Sequence, residues 1–303
     1  MQNKADMRKR KEKGPCGAKF SARERAEMKI AKPTKAKVFE IVRRCIAYVI
    51  GMFFIASGVS FSRSTNWGIS PVNSIPNVLS LKFTQISMGK WIIIVFTCFL
   101  LIQALILLKQ FKWYSILQLA SSTLFGFLVD GTDALYGLFL PENQEIWLKI
   151  VLIVVSTVII AFGIFLYLEA NIMSMPGEGV TLALSKRTKL HLSTCKIIFD
   201  VSVILIASLL SIAFFWDSEV FWSLDGTSGM LRGVGIGTVV IAVFVGVVMK
   251  PIMRFLKKPV HELLYGKPQD KPSEFELAEE IAQEEDAAER YAPLEGEGAD
   301  AEK

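Results

Sequence analysis

Six apolar runs, each long enough or nearly so to cross a hydrocarbon core, restrict what this 303-residue chain can fold into. They lie near Cys45–Phe61, Trp91–Leu108, Trp113–Leu140, Ile150–Leu168, Ile197–Trp216 and Val234–Met249. A bilayer core takes about 20 helical residues to span. Backbone groups in lipid must bond within their own segment, so each run is expected to be an α-helix. The runs are continuously apolar rather than alternating, which disfavours a β-barrel. Asp130, Gly131 and Asp133 interrupt the third run, and its helix is expected to break or surface there. With a mean hydropathy of +0.42 and only 21% charged residues, an aqueous enzyme domain, a nucleic-acid reader and a coiled coil all fit poorly.

The charges divide the chain further. Residues 1–44 hold 15 Lys/Arg against 5 Asp/Glu, and residues 259–303 hold 14 Asp/Glu against 4 Lys/Arg. Cytoplasmic loops carry the excess of Lys and Arg. With both termini inside, 29 of the 34 basic residues are cytoplasmic and only Arg63, Lys82, Lys90, Lys149 and Arg232 are outside. The first run follows a long polar tail without a small-x-small cleavage pattern, so it is expected to be a span and not a signal peptide. The organisation expected is a basic cytoplasmic tail (1–40), two three-helix membrane repeats (41–141 and 142–258) and an acidic cytoplasmic tail (259–303). Both tails are expected to be mostly disordered, with a capping box at Ser273 and Glu276 opening one helical stretch in the second.

The repeats emerge when the chain is slid against itself by 105 residues. Ala56 then falls on Ala161, Gly58 on Gly163, Asn66 on Asn171 and Pro71 on Pro176, within 9 identities over 47 pairs. A shift of 120 lays Gly126 on Gly246. Three spans per half means that the second half enters the membrane upside down, the 3+3 inverted repeat of many secondary transporters. Each half also holds a short Pro-led segment, residues 70–82 and 175–185. Pro sits at the first helical position, where its missing N–H costs nothing, and Ser70 is the expected N-cap of the first. The two segments are either re-entrant half-helices lining a cavity or interfacial helices lying flat. Their polarity makes the interfacial form the default.

These residues also carry a resemblance. Phe61 through Leu81, with Trp67-Gly68-Ile69-Ser70-Pro71 at its centre, resembles the first-half signature of the YczE/YyaS/YitT-type bacterial membrane proteins. Ala170-Asn171 followed by Met175-Pro176-Gly177-Glu178-Gly179 resembles the second-half signature. Phe125 through Asp130 and Lys196 through Val201 are similar to two further patterns of that family, over about residues 43–256. The resemblance implies a polytopic protein of the bacterial plasma membrane. Many members have Asp-Leu-Gly where this chain has Asn66-Trp67-Gly68, so a role for that acid does not carry over.

Ionisable residues inside spans are functional candidates by default. Asp200 lies four residues after Lys196, a spacing for a helical ion pair. Asp130 either faces a cavity or ends its helix, and Glu169 is expected to snorkel. Gln103 and Gln118 can bond across helices. Asn73 and Glu178, each third in its short helix, form the leading pair, with N-terminal capping as the plain alternative. The expected substrate pathway comprises Asn66, Ser70, Pro71, Asn73, Asp130, Asn171, Pro176 and Glu178. Gly233-Val234-Gly235-Ile236-Gly237 opens a membrane helix and reads as close packing, not a nucleotide loop. Cys16, Cys45, Cys98 and Cys195 lack metal-ligand spacing, and no metal, cofactor or catalytic residue is expected.

The function expected is secondary transport of an unidentified small molecule or ion by alternating access. The alternative is a non-transporting membrane scaffold or regulator. The partners expected are the lipid bilayer, that substrate and, as one option, further copies in a homo-oligomer; no nucleic acid is expected, and no enzymatic activity.

Overall fold

The computed structural model describes residues 35–108, 113–141, 144–218, 221 and 229–266. Cys16, the basic tail before residue 35 and the acidic tail beyond residue 266, with its capping box at Ser273, lie outside the described residues. Residues 1–41 and 42–303 form two units. Of the first, Lys35–Ile41 is described and is helical; all that follows concerns the second.

The described residues form eight α-helices and no strand: α1 Lys35–Ser64, α2 Pro71–Lys82, α3 Met88–Leu107, α4 Gln118–Gly137, α5 Ile146–Ala170, α6 Pro176–Thr188, α7 Leu192–Phe214 and α8 Ile236–Tyr265. Five of them, α1, α3, α5, α7 and α8, are long and apolar enough to cross a membrane. The chain is therefore an all-α membrane protein. α4 is as long as α3, at 20 residues, but less apolar.

Two expected boundaries are corrected. α4 does not break at Asp130-Gly131 but runs on to Gly137, while a 3-10 turn, Trp113–Leu117, takes up the beginning of the run. Both acids find partners on neighbouring elements, so neither has to leave the bundle. α8 does not stop near Met249 but continues through Pro251 and Pro259 to Tyr265, across the expected boundary at 258/259.

α1 and α5 pack antiparallel at very short range. A Cβ on Gly51 would lie 2.9 Å from the Gly163 carbonyl oxygen, and one on Gly58 would lie 2.9 Å from that of Ser156. Small residues allow such backbone approach where lipid supplies no hydrophobic drive between helices. α4 packs on α3 through Gly89 and Gly126. It also lies along α1, with Ser60 Oγ and Thr132 Oγ1 2.8 Å apart and Phe61 stacked on Tyr136. α8 packs along α5. At one end of the bundle, here the tail end, Arg44 donates to the Ala170 and Asn171 carbonyls, placing a cation where the α5 dipole is negative. Tyr265 and His261 hold α8 to Glu169 at the same end.

The short helices are not laid flat on the surface. In α2, Pro71, Asn73, Ser74, Ile75, Pro76, Asn77, Val78 and Ser80 are buried, and in α6, Pro176, Gly177, Gly179, Val180, Thr181 and Ala183. α2 packs on α7 and α3, and α6 on α3 and α7. Twelve- and thirteen-residue helices this polar are buried here among the other helices.

A candidate site where two half-helices meet

The N-termini of α2 and α6 meet inside the bundle. A Cβ on Gly177 would come 3.0 Å from Val72 Cγ1 and 3.6 Å from Phe199 Cε1, and Phe99 of α3 packs edge-on against Phe199. From this junction α2 runs to the far end, where Lys82 Nζ donates to the Phe214 carbonyl. α6 runs the other way, ending on the left-handed Lys189 beside the start of α7. Two helix N-termini, each with partly positive dipole ends, thus converge from opposite directions.

The chain lays out this junction with simple means. Asn66 and Asn171, at φ 58° and 44°, take the left-handed conformation that Asn tolerates best after Gly. Each donates its backbone N–H three residues back, to the Arg63 and Leu168 carbonyls at 3.0 Å. These two expected pathway residues are turn residues that redirect the chain out of α1 and α5. Pro71 and Pro176 then open the half-helices. Ser70 does occupy the N-cap position of α2, yet its hydroxyl accepts from the Asn73 side-chain amide at 2.9 Å instead of a backbone N–H.

Asn73 is 4% exposed, and its side-chain oxygen is buried without a hydrogen bond. Glu178, in the first turn of α6, sets its carboxylate beside the backbone N–H of Met175. Its Oε2 is buried with no partner. Around it stand Tyr48 of α1, Lys196 and Asp200 of α7, and Gln103 of α3, whose Oε1 would lie 2.4 Å from a Cβ on Gly179. Lys196 and Asp200 do form the pair their spacing allows, at 3.4 Å, but Asp200 Oδ1 is left buried and unbonded. Gln118 Nε2 reaches Ser174 Oγ at 3.4 Å, while its Oε1 has no partner. The Tyr167 hydroxyl is buried and unbonded too, its ring edge-on to Tyr48 at 5.9 Å. The two tyrosines carry no sequence signal of a site, because each sits inside an apolar run.

Asp130 is not at this junction. Its carboxylate accepts from the Gly89 backbone N–H and the Ser87 hydroxyl, both at 2.7 Å, and so caps α3 from α4. Asp133 pairs with Arg63, which also donates to Asn77 Oδ1 at 3.2 Å and Ser80 Oγ at 3.1 Å. Asn77 Nδ2 in turn donates to the Gly233 carbonyl at 3.0 Å. The glycine-rich opening of α8 is packing, as its context suggested. The Gly237 N–H donates to the Trp67 carbonyl at 2.9 Å, and a Cβ on Gly68 would strike Thr238 Oγ1.

The chain is 22% identical over 212 residues, 70% of its length, to the uncharacterised membrane protein YczE of Bacillus subtilis (strain 168), of which the match covers 86%. No solved structure matches it. The model of the family of unknown function DUF6198 matches residues 42–254, which include every helix from α2 to α7, and the chain belongs to that family.

Proposed function

We propose that the protein is a secondary transporter of a small molecule, working by alternating access around the α2–α6 junction. The observation that carries this reading is the meeting of two half-helix N-termini, each with an unpartnered, buried side-chain oxygen in its first turn, Asn73 Oδ1 and Glu178 Oε2. The packing is read as a 3+3 inverted repeat: α2 lies on the second span of the other half, α7, and α6 lies on its counterpart α3. α4 then counts as a sixth span whose acids are satisfied by protein. The paired left-handed Asn66 and Asn171 support the same symmetry. Broken helices whose ends face the midplane are a known way to build a transporter site.

In this reading the tail end is cytoplasmic, since Arg44, Lys186, Arg187, Lys189, Lys196 and Lys257 gather there. The protein lies in the bacterial inner membrane with both tails inside. It catalyses no chemical conversion. A scaffold without transport is the second reading. It is favoured by the direct contact of Val72 with Gly177, which leaves the junction closed.

Cysteine accessibility separates the two. With Cys16, Cys45, Cys98 and Cys195 removed, single cysteines at Asn73 and Glu178 are probed from each side of the membrane with an impermeant thiol reagent. Labelling of either position from both sides is the expected result. One-sided labelling, or none, sinks the transport reading.

A further inference from the structure

The side chains around the first turn of α6 share an imbalance that bears on what the site would hold. Glu178 Oε2, Gln103 Oε1, Gln118 Oε1 and Asp200 Oδ1 are buried acceptors with nothing donated to them, four acceptors against the two buried, unbonded hydroxyls of Tyr48 and Tyr167. Gln103, Gln118 and Tyr167 are only 6%, 5% and 1% exposed. They belong to one neighbourhood. The Gln103 amide lies on Gly179, Gln118 reaches Ser174, and Tyr48 links Glu178 to Tyr167. Unmet buried acceptors are costly, and membrane interiors offer them no water.

Charge points the same way. Two carboxylates face one ammonium, Lys196, which already pairs with the other oxygen of Asp200. With both carboxylates ionised the set carries one net negative charge. Tyr48 is the further titratable group whose interaction reaches Glu178. The partly positive N-termini of α2 and α6 offset part of that charge, so what the site lacks is several N–H donors and a cation seated directly on the Glu178 oxygen. An anion supplies neither. A divalent metal finds too few hard ligands, since no group of three His, Cys, Asp or Glu side chains converges among the described residues. A primary ammonium group supplies a single charge and three donors on one atom, and tyrosine rings favour a cation near their faces.

We propose, resting on the transport reading of this same site, that its substrate class is a protonated primary amine held by Glu178 Oε2, Gln103 Oε1 and the unbonded oxygens beside them. The test is thermal unfolding of the full chain in detergent, titrated with methylammonium, putrescine or phenethylammonium chloride. Sodium and tetramethylammonium chloride at equal ionic strength are the controls. A saturable rise in Tm with at least one primary amine and neither control is expected. Glu178→Gln keeps an acceptor for the Met175 N–H, so it should unfold at nearly the wild-type temperature without ligand. Its amine affinity should fall about tenfold or more, the worth of a hydrogen bond to a charged group. Gln103→Leu, a change that leaves the capping of α6 alone, should weaken the amine as well.

No saturable effect from any amine, an equal effect from sodium or tetramethylammonium, or undiminished affinity in both variants would each overturn the assignment. Amine binding without two-sided labelling at positions 73 and 178 would keep this amine site and remove transport. Two-sided labelling without amine binding would keep transport and remove this substrate class.

Discussion

At the far end of the bundle, Arg63 engages Asn77, Ser80 and Asp133, and Asp130 takes the Gly89 N–H and the Ser87 hydroxyl. Around the first turn of α6, Glu178, Asp200, Gln103, Gln118 and Tyr167 each keep an oxygen that nothing meets. Both clusters are built from carboxylates, amides and hydroxyls contributed by several helices. The first is fully bonded and ties α1, α2, α3 and α4 together. The second is held in place by packing and leaves its acceptors spare. Buried polar networks rigidify a structure when complete and are liabilities when they are not. A chain that completes one network and leaves its neighbour incomplete separates a fastening from a place to receive something.

The largest expected effect concerns the helix contact beneath the fastened end. A Cβ on Gly126 would sit 2.5 Å from the Gly89 carbonyl oxygen, whereas nothing lies within 4 Å of one on Gly246. Gly126→Ala should cost about 3 kcal/mol by overpacking, and Gly246→Ala less than about 0.5 kcal/mol. Unfolding temperatures in detergent compare the two, and equal losses would show that α3 and α4 are not packed this way.

Next comes the ion pair. Arg63→Met leaves Asp133 without its cation in a partly buried position and should cost about 2 kcal/mol, below the full figure for a buried pair. The Arg63→Met/Asp133→Leu double variant should recover part of that loss. A double variant worse than the single would mean that Asp133 has another partner.

The α6 cluster has fewer bonds to lose. Tyr167→Phe is the smallest change. It removes a hydroxyl that has no bond to lose, so stability should hold within about 0.5 kcal/mol or rise. A clear loss would mean that the hydroxyl is bonded after all.

Much of the scaffold can be read from residues alone, because apolar runs and Pro positions are local signals. The expected starts of the half-helices at Pro71 and Pro176 coincide with those of α2 and α6, and α3, α5 and α7 lie within a few residues of their expected runs. Asp130 is where local reading fails. An acid followed by Gly looks like a helix end, but its partner is a backbone N–H 41 residues away on another helix. α8 outlasts its apolar run for a similar reason, since His261 and Tyr265 find Glu169 across the bundle. Of the candidate pathway, Asn73 and Glu178 stand at the junction and Asp130 does not, while Asn66 and Asn171 turn the chain. Gln103 and Gln118 were legible as cross-helix polar residues. Tyr48 and Tyr167 were not, because only packing brings them to the carboxylate.

One consequence of α8 is mechanical. Pro251 and Pro259 remove the N–H groups that would bond the carbonyls of Val247 and Phe255, leaving two soft points in a 30-residue rod. The segment beyond them is pinned to the end of α5 through Glu169, and Arg44 lies 5.0 Å over the Tyr265 ring. Tension applied to the C-terminal tail would therefore be absorbed by bending at the prolines and delivered to α5, the helix that leads directly into the turn before α6. A pull from outside the membrane domain and the position of Glu178 are joined by one short lever.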